Sequence, residues 1–111
     1  MLNNLEKDEI IKNINIDGIE SYLVTSYGRV FNGSFEELTG TIDGSGYITV
    51  GLSCYGKTIL YKIHRLVCIT FIGKQPSEDK YMVDHINRNK TNNKMNNLRW
   101  ATPSENGKKQ I

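Results

Sequence analysis

Side chains alternate along Tyr47–Leu52: Ile48, Val50 and Leu52 fall on one face, Tyr47 and Thr49 on the other. A period of two marks a strand with one face buried. The next β-prone run, Thr58–Ile63, follows Ser53–Lys57, where Gly56 suits a tight turn. Earlier in the chain, Tyr22–Thr25 and Arg29–Phe31 flank Ser26-Tyr27-Gly28 and predict another hairpin. The first half is thus expected to form one small antiparallel sheet of about four strands. Residues 1–20 hold loosely spaced isoleucines among Asn, Lys and Glu, a pattern that fits an arm or a short helix equally.

The period changes after Ile63. In IHRLVCITFIG, Leu66, Val67, Ile69 and Phe71 share a face at helical spacing, and Gly73 is placed to stop the run. A short helix packed on the sheet is expected there. Past a loop marked by Pro76, YMVDH predicts a strand, INRNKTNNKMN a long polar loop and NLRWAT a second strand. Thr102 as N-cap, Pro103 at the first helical position and Glu105 in the first turn then open a helix. Leu98 and Trp100 are expected in the core, with Trp100 anchoring its strand against the HRLV helix.

Composition narrows the function classes. A chain of 111 residues makes one domain, or two very small halves sharing a core. Net charge is only +2, but its distribution is uneven. Basic residues outnumber acidic ones from Lys57 onward, while Glu6, Asp8, Glu9, Glu36 and Glu37 keep the first half neutral to acidic. A basic C-terminal half suits a phosphate-bearing partner. Cys54 and Cys68 do not combine with His64 and His85 at zinc-site spacing, which counts against a zinc-bound structural domain. Cys68, within LVCITFI, is expected in the core. The N-terminus is too charged for a signal peptide and no apolar run is long enough to span a membrane. No membrane association and a cytoplasmic location are expected.

The chemistry concentrates in Val83–Trp100, VDHINRNKTNNKMNNLRW, where Asp84 and His85 precede a run of asparagines. If the two strands pair and the helix packs across them, Asn106 can reach back over the hairpin. A carboxylate and an amide oxygen are hard ligands suited to Mg²⁺, which keeps several waters and shares positions with substrate phosphate. Histidines titrate near neutrality, so one beside such a cation can take a proton from water. Together these are the equipment of phosphodiester hydrolysis. Taken alone, the Asp-His pair reads as a capped surface turn, and Asn106 as a helix residue with no task.

HRLVCITFI, the Asp-His pair, the N-K-x-N-N loop, NLRW and the closing EN, in that order, resemble the HNH homing endonucleases of phage introns and free-standing phage genes. GIESYLVTSYGRVFN is similar to the small module that commonly precedes that nuclease domain. The resemblance implies an α+β fold, a small antiparallel N-terminal sheet followed by the ββα-metal (His-Me finger) motif. It divides the chain into an arm (1–20), a β-rich module (21–62) and the nuclease domain (63–111). By the same resemblance His85 is the general base, Asp84 and Asn106 hold one divalent cation (Mg²⁺ or Mn²⁺), and the amide of Asn97 holds the loop hydrogen bonds that orient His85. Double-stranded DNA is the implied partner, with no small-molecule cofactor and a monomeric state. By the resemblance, relatives often continue into further DNA-binding elements, and with the sequence ending at Ile111 strong sequence specificity is not expected.

Arg65, Arg88, Lys90, Lys94, Arg99, Lys108 and Lys109 crowd around the implied cleavage site, where a backbone-binding protein needs cations. The same charges also suit an ordinary solvated face. His64 is expected to pack at the start of its helix, with a phosphate contact as the alternative. Tyr22, Arg29 and Tyr47 suit packing or DNA contact equally. The competing function is a catalytically inactive DNA-binding module of the same fold; a complete set of Asp84, His85, Asn97 and Asn106 argues for the nuclease.

Overall fold

The computed structural model describes residues 5–77 and 81–104. Both anticipated hairpins form, but in different sheets. Strands β1 (Ile11–Asn13), β2 (Leu23–Thr25), β3 (Val30–Phe31) and β4 (Glu37–Leu38) pair in chain order as an antiparallel meander. Strands β5 (Thr41–Ile42), β6 (Ile48–Cys54) and β7 (Lys57–Lys62) make a second antiparallel sheet. The single sheet expected from the sequence is therefore corrected to two. The added edge strands are two or three residues long, too short to show a period.

Thr25 shapes the turn between β2 and β3. Its hydroxyl oxygen accepts from the amides of Tyr27 at 3.2 Å and Arg29 at 3.1 Å, and its carbonyl accepts from Gly28 at 2.9 Å. Gly28 closes the turn at φ +87°, where a residue without Cβ is unstrained. The segment before residue 21 is more than an arm: it supplies β1 and two fully buried isoleucines, Ile14 and Ile19.

Helix α1 (Ile63–Val67) packs on β2, β6 and β7. It runs directly into a π-helical turn, Cys68–Ile72, which ends at Gly73 with φ 127°. The Gly73 amide donates to the carbonyl of Cys68 at 2.9 Å, five residues back. Widening the turn alters the expected helical face: Leu66, Val67 and Cys68 are buried, while Ile69 and Phe71 are only half-buried. Burial pushes the Cys68 thiol up to about 11, as for an inert core residue.

Strands β8 (Met82–His85) and β9 (Leu98–Ala101) form an antiparallel pair of their own, with Asp84 opposite Arg99 and His85 opposite Leu98. The indole N–H of Trp100 donates to the Gly73 carbonyl at 2.8 Å and ties β9 to the end of the π turn. One hydrophobic cluster joins all of these parts, from Ile14, Val24 and Val50 through Leu66 and Val67 to Val83 and Leu98. Pro103 and Ser104 are helical, as Pro at the first position requires. No described helix is long and apolar enough to cross a membrane.

Leu66 is 0% exposed at the centre of this cluster. Leu66→Ala should lower the unfolding free energy by about 2–5 kcal/mol, read as a lower urea midpoint at unchanged slope. A loss below about 0.5 kcal/mol, the size of a surface change, would contradict this packing.

Candidate active site

Asp84 and His85 close β8, and alternation turns them apart. Both are buried residues, at 6% and 5% exposure, yet both line a cleft of about 480 Å³. Its other walls are Tyr47, Lys62, His64, Arg65, Met82, Val83, Arg88 and Lys90. The β5–β6 turn thus contributes Tyr47, the end of β7 Lys62, the helix His64 and Arg65, and the loop after β8 Arg88 and Lys90. Lys62 is a cation that the sequence reading did not single out. Its place beside the cleft follows from a strand-to-helix junction, and β7 carries no period that announces it.

Asp84 accepts from Arg99 Nε at 3.0 Å through its Oδ2. The register explains the pair, since the two residues face each other across β8 and β9. His85 Nε2 lies 2.8 Å from Asn93 Oδ1. An amide oxygen can only accept, so this contact is a hydrogen bond in the tautomer that carries its proton on Nε2.

The asparagine loop is folded by its own side chains. Asn97 Oδ1 accepts from the Asn87 amide at 2.9 Å, and its Nδ2 donates to Asn87 Oδ1 and to the Asn92 carbonyl, each at 2.9 Å. Asn87 and Asn89 cap short turns by accepting from amides two residues ahead. Arg88 sits in the left-handed region at φ 66°, its amide donating to the His85 carbonyl at 2.9 Å. Asn97 therefore clasps the loop, while Asn93 reaches His85 with a hydrogen-bonding side chain. Nothing in the sequence separated Asn93 from its neighbours, because all the loop asparagines share one polar signature.

His64 is buried at 6% exposure. Its ring stands 4.9 Å from that of His85 and 4.8 Å from that of Tyr47, centre to centre. Its Nδ1 is buried with no hydrogen-bond partner among the described residues. Burial, then the neighbouring His85, Lys62 and Arg65, lower its pKa to about 3, so His64 is neutral at ordinary pH.

The remaining residues singled out in the sequence fall in different places. Lys90 donates to the Ser45 carbonyl at 2.9 Å, and its ammonium lies 5.0 Å from the Tyr47 ring. Lys62 approaches the same ring at 4.8 Å. Arg65 stacks over Trp100 at 5.6 Å, which places that indole against the helix as expected. Lys94 is away from the cleft, 4.4 Å over Tyr27. Arg29 is engaged by Glu9 and Glu37 at 3.1 and 2.9 Å, and the Tyr22 hydroxyl accepts from the Ser53 amide at 3.0 Å. Packing accounts for both. Asn106, Lys108, Lys109 and Glu105 lie outside the described residues.

Residues 61–108 match the model of an HNH endonuclease family. An HNH endonuclease of Acanthamoeba polyphaga mimivirus is 40% identical over 104 residues, covering 91% of this chain and 26% of the viral protein. The DNA endonuclease I-HmuI of Bacillus phage SP01 is 38% identical over 98 residues, 86% of this chain and 55% of that protein. A solved structure of the HNH homing endonuclease I-HmuI, described as showing DNA binding and cleavage, superposes with a TM-score of 0.78 at 35% identity. The match covers 91% of this chain and 57% of that one. The chain thus spans between about a quarter and just over half the length of these relatives.

The neutral His64 makes stability depend on acid. Unfolded, an imidazole takes a proton below about pH 6.5, whereas folded His64 does so only near pH 3. The unfolded state therefore binds more protons across that window. Stability should fall as pH drops through it, by up to about 1.4 kcal/mol per unit from this group. In His64→Leu the acid limb of unfolding free energy against pH should flatten; an unchanged slope would remove His64 as its cause.

Proposed function

Because the chain carries a domain of the HNH endonuclease family, of homing-endonuclease type, we propose that it binds double-stranded DNA and hydrolyses phosphodiester bonds. His85 is the general base. Asp84 and Asn106 hold one divalent cation, Mg²⁺ or Mn²⁺. The observation that carries this reading is the juxtaposition of Asp84 and His85 on the floor of a cleft walled by Lys62, Arg65, Arg88 and Lys90.

The donor chemistry fits a hard cation. Among the described residues no group of three or more His, Cys, Asp or Glu side chains converges on one point. Asp84 is the carboxylate lining the cleft. A site with few protein ligands, all of them oxygen, suits Mg²⁺, which keeps most of its waters, better than it suits a zinc cage. Arg99 holds the Asp84 carboxylate through Oδ2. When bound, the cation supplies charge stabilisation for the phosphate and the leaving oxygen.

The chain's own groups do the rest. The four cations of the cleft bind the DNA backbone and hold a phosphate against the floor. His85 takes the proton of the attacking water at Nδ1, the nitrogen left basic when Nε2 donates to Asn93. Neutral His64 adds apolar bulk beside that ring and no competing positive charge.

Supercoiled plasmid with Mg²⁺ or Mn²⁺ tests the reading. Wild-type protein should nick or linearise it, and His85→Ala should cut about 10²–10⁴-fold more slowly while still retarding DNA on a gel. Asp84→Ala should lose cleavage and metal affinity together. Full activity in His85→Ala would remove it as the base, and DNA held but never cut by wild type would favour the inactive binding module. Lys62→Ala should weaken DNA binding across sequences and lower the salt slope by about one; an unaltered slope would place Lys62 off the DNA.

A further inference from the structure

The imidazole of His85 is held from one side by a side chain that is itself held by the first sheet. Asn93 is 4% exposed, and its Oδ1 stands 2.8 Å from His85 Nε2. Asn97 spends its amide on Asn87 and Asn92, which closes the loop but leaves the ring to another residue. On its far side Asn93 meets the β2–β3 turn. A Cβ on Gly28 would lie 2.8 Å from Asn93 Cβ and 3.1 Å from its carbonyl oxygen. Two residues on, the Met95 amide donates to the Ser26 carbonyl at 2.8 Å, and Lys94 covers the Tyr27 ring. The turn Ser26–Gly28 thus presses the loop at successive residues around Asn93.

We propose that Asn93 is the positioning residue of His85, fixing its ring and its tautomer, and that the turn Ser26–Gly28 holds Asn93 in place. The proposal rests on the reading of His85 as the general base. A neutral imidazole interconverts between two tautomers, and only the one protonated at Nε2 presents Nδ1 as the base. An amide oxygen on Nε2 selects that tautomer before substrate arrives and keeps accepting once the ring becomes imidazolium. Contact through Gly28 explains why this turn leaves no room for a side chain: a Cβ there would lie 2.8 Å from Asn93 Cβ, too close for both to keep their places.

Long-range ¹H–¹⁵N spectra of the histidine rings, recorded above about pH 8 where ordinary imidazoles are neutral, test this directly. Wild-type His85 should show the Nε2–H tautomer alone. Asn93→Ala should show a mixture, and Asn93→Asp, which keeps the carbonyl acceptor, should restore a single form. In cleavage assays Asn93→Ala should lower kcat about 10–100-fold, the range for removing an orienting partner, at unchanged KM for DNA. Gly28→Ala should reproduce the mixed tautomer. A wild-type His85 protonated at Nδ1 would overturn the proposal without recourse to any variant, and so would a pure Nε2–H form in Asn93→Ala. A pure form in folded Gly28→Ala would overturn the role of the turn. Failure of the base assignment looks different: His85→Ala would then cleave fully, whatever the tautomer spectra report.

Discussion

The site depends on closing the polar loop that joins β8 to β9. Loop closure costs entropy, and the segment from Ile86 to Asn96 offers few apolar contacts to offset it. Asn97 does so instead, with three hydrogen bonds from one buried amide to Asn87 and Asn92. The Ile86 amide donates to the Asn97 carbonyl at 2.8 Å and extends the ladder one step beyond the strands. Antiparallel register follows: His85 falls opposite Leu98 and Asp84 opposite Arg99. A slip of one residue would exchange the faces of Asp84 and His85. It would also carry Val83, on the same strand, out of the core it shares with Leu66 and Leu98.

Much of this was legible in the sequence wherever a period or a turn residue was involved. The alternation at Tyr47–Leu52, the turn at Ser26–Gly28, the stop at Gly73 and the strand carrying Asp84 and His85 all have local physical causes. What was not legible depends on distant contacts. Edge strands such as Thr41–Ile42 exist because a longer neighbour offers unpaired backbone groups. The π turn exists because Gly73 and Trp100 lock its end. Among the asparagines, composition marked the loop but could not assign tasks, so the side chain bound to His85 emerged only with the fold. Lys62 was hidden for the same reason, being one lysine on a strand that is exposed along most of its length.

Charge in the cleft has a sorted arrangement. Four cations stand on its walls and Asp84 on its floor, a sign pattern that suits a polyanion approaching from solvent. Two histidines lie within 4.9 Å of each other there. Their closeness disfavours double protonation, and burial assigns the loss to His64. Tyr47 completes the stack and carries the alkyl-ammonium groups of Lys62 and Lys90 over its face.

This arrangement makes the two halves of the chain one working unit. The family model begins at Tyr61, yet the structural match to the I-HmuI enzyme extends over 91% of the chain. The reason is physical: the cleft takes Tyr47 from the β5–β6 turn and Lys62 from the end of β7, and the core takes Ile14 and Ile19 from the β1–β2 connection and Val24 from β2. The β8–β9 pair alone is a two-stranded ribbon, too small to be stable by itself. A short ribbon of this kind gains a defined geometry only by packing on something larger. Here that larger body also supplies the walls of the cleft, so the contacts that stabilise the ribbon and those that shape the site are the same contacts.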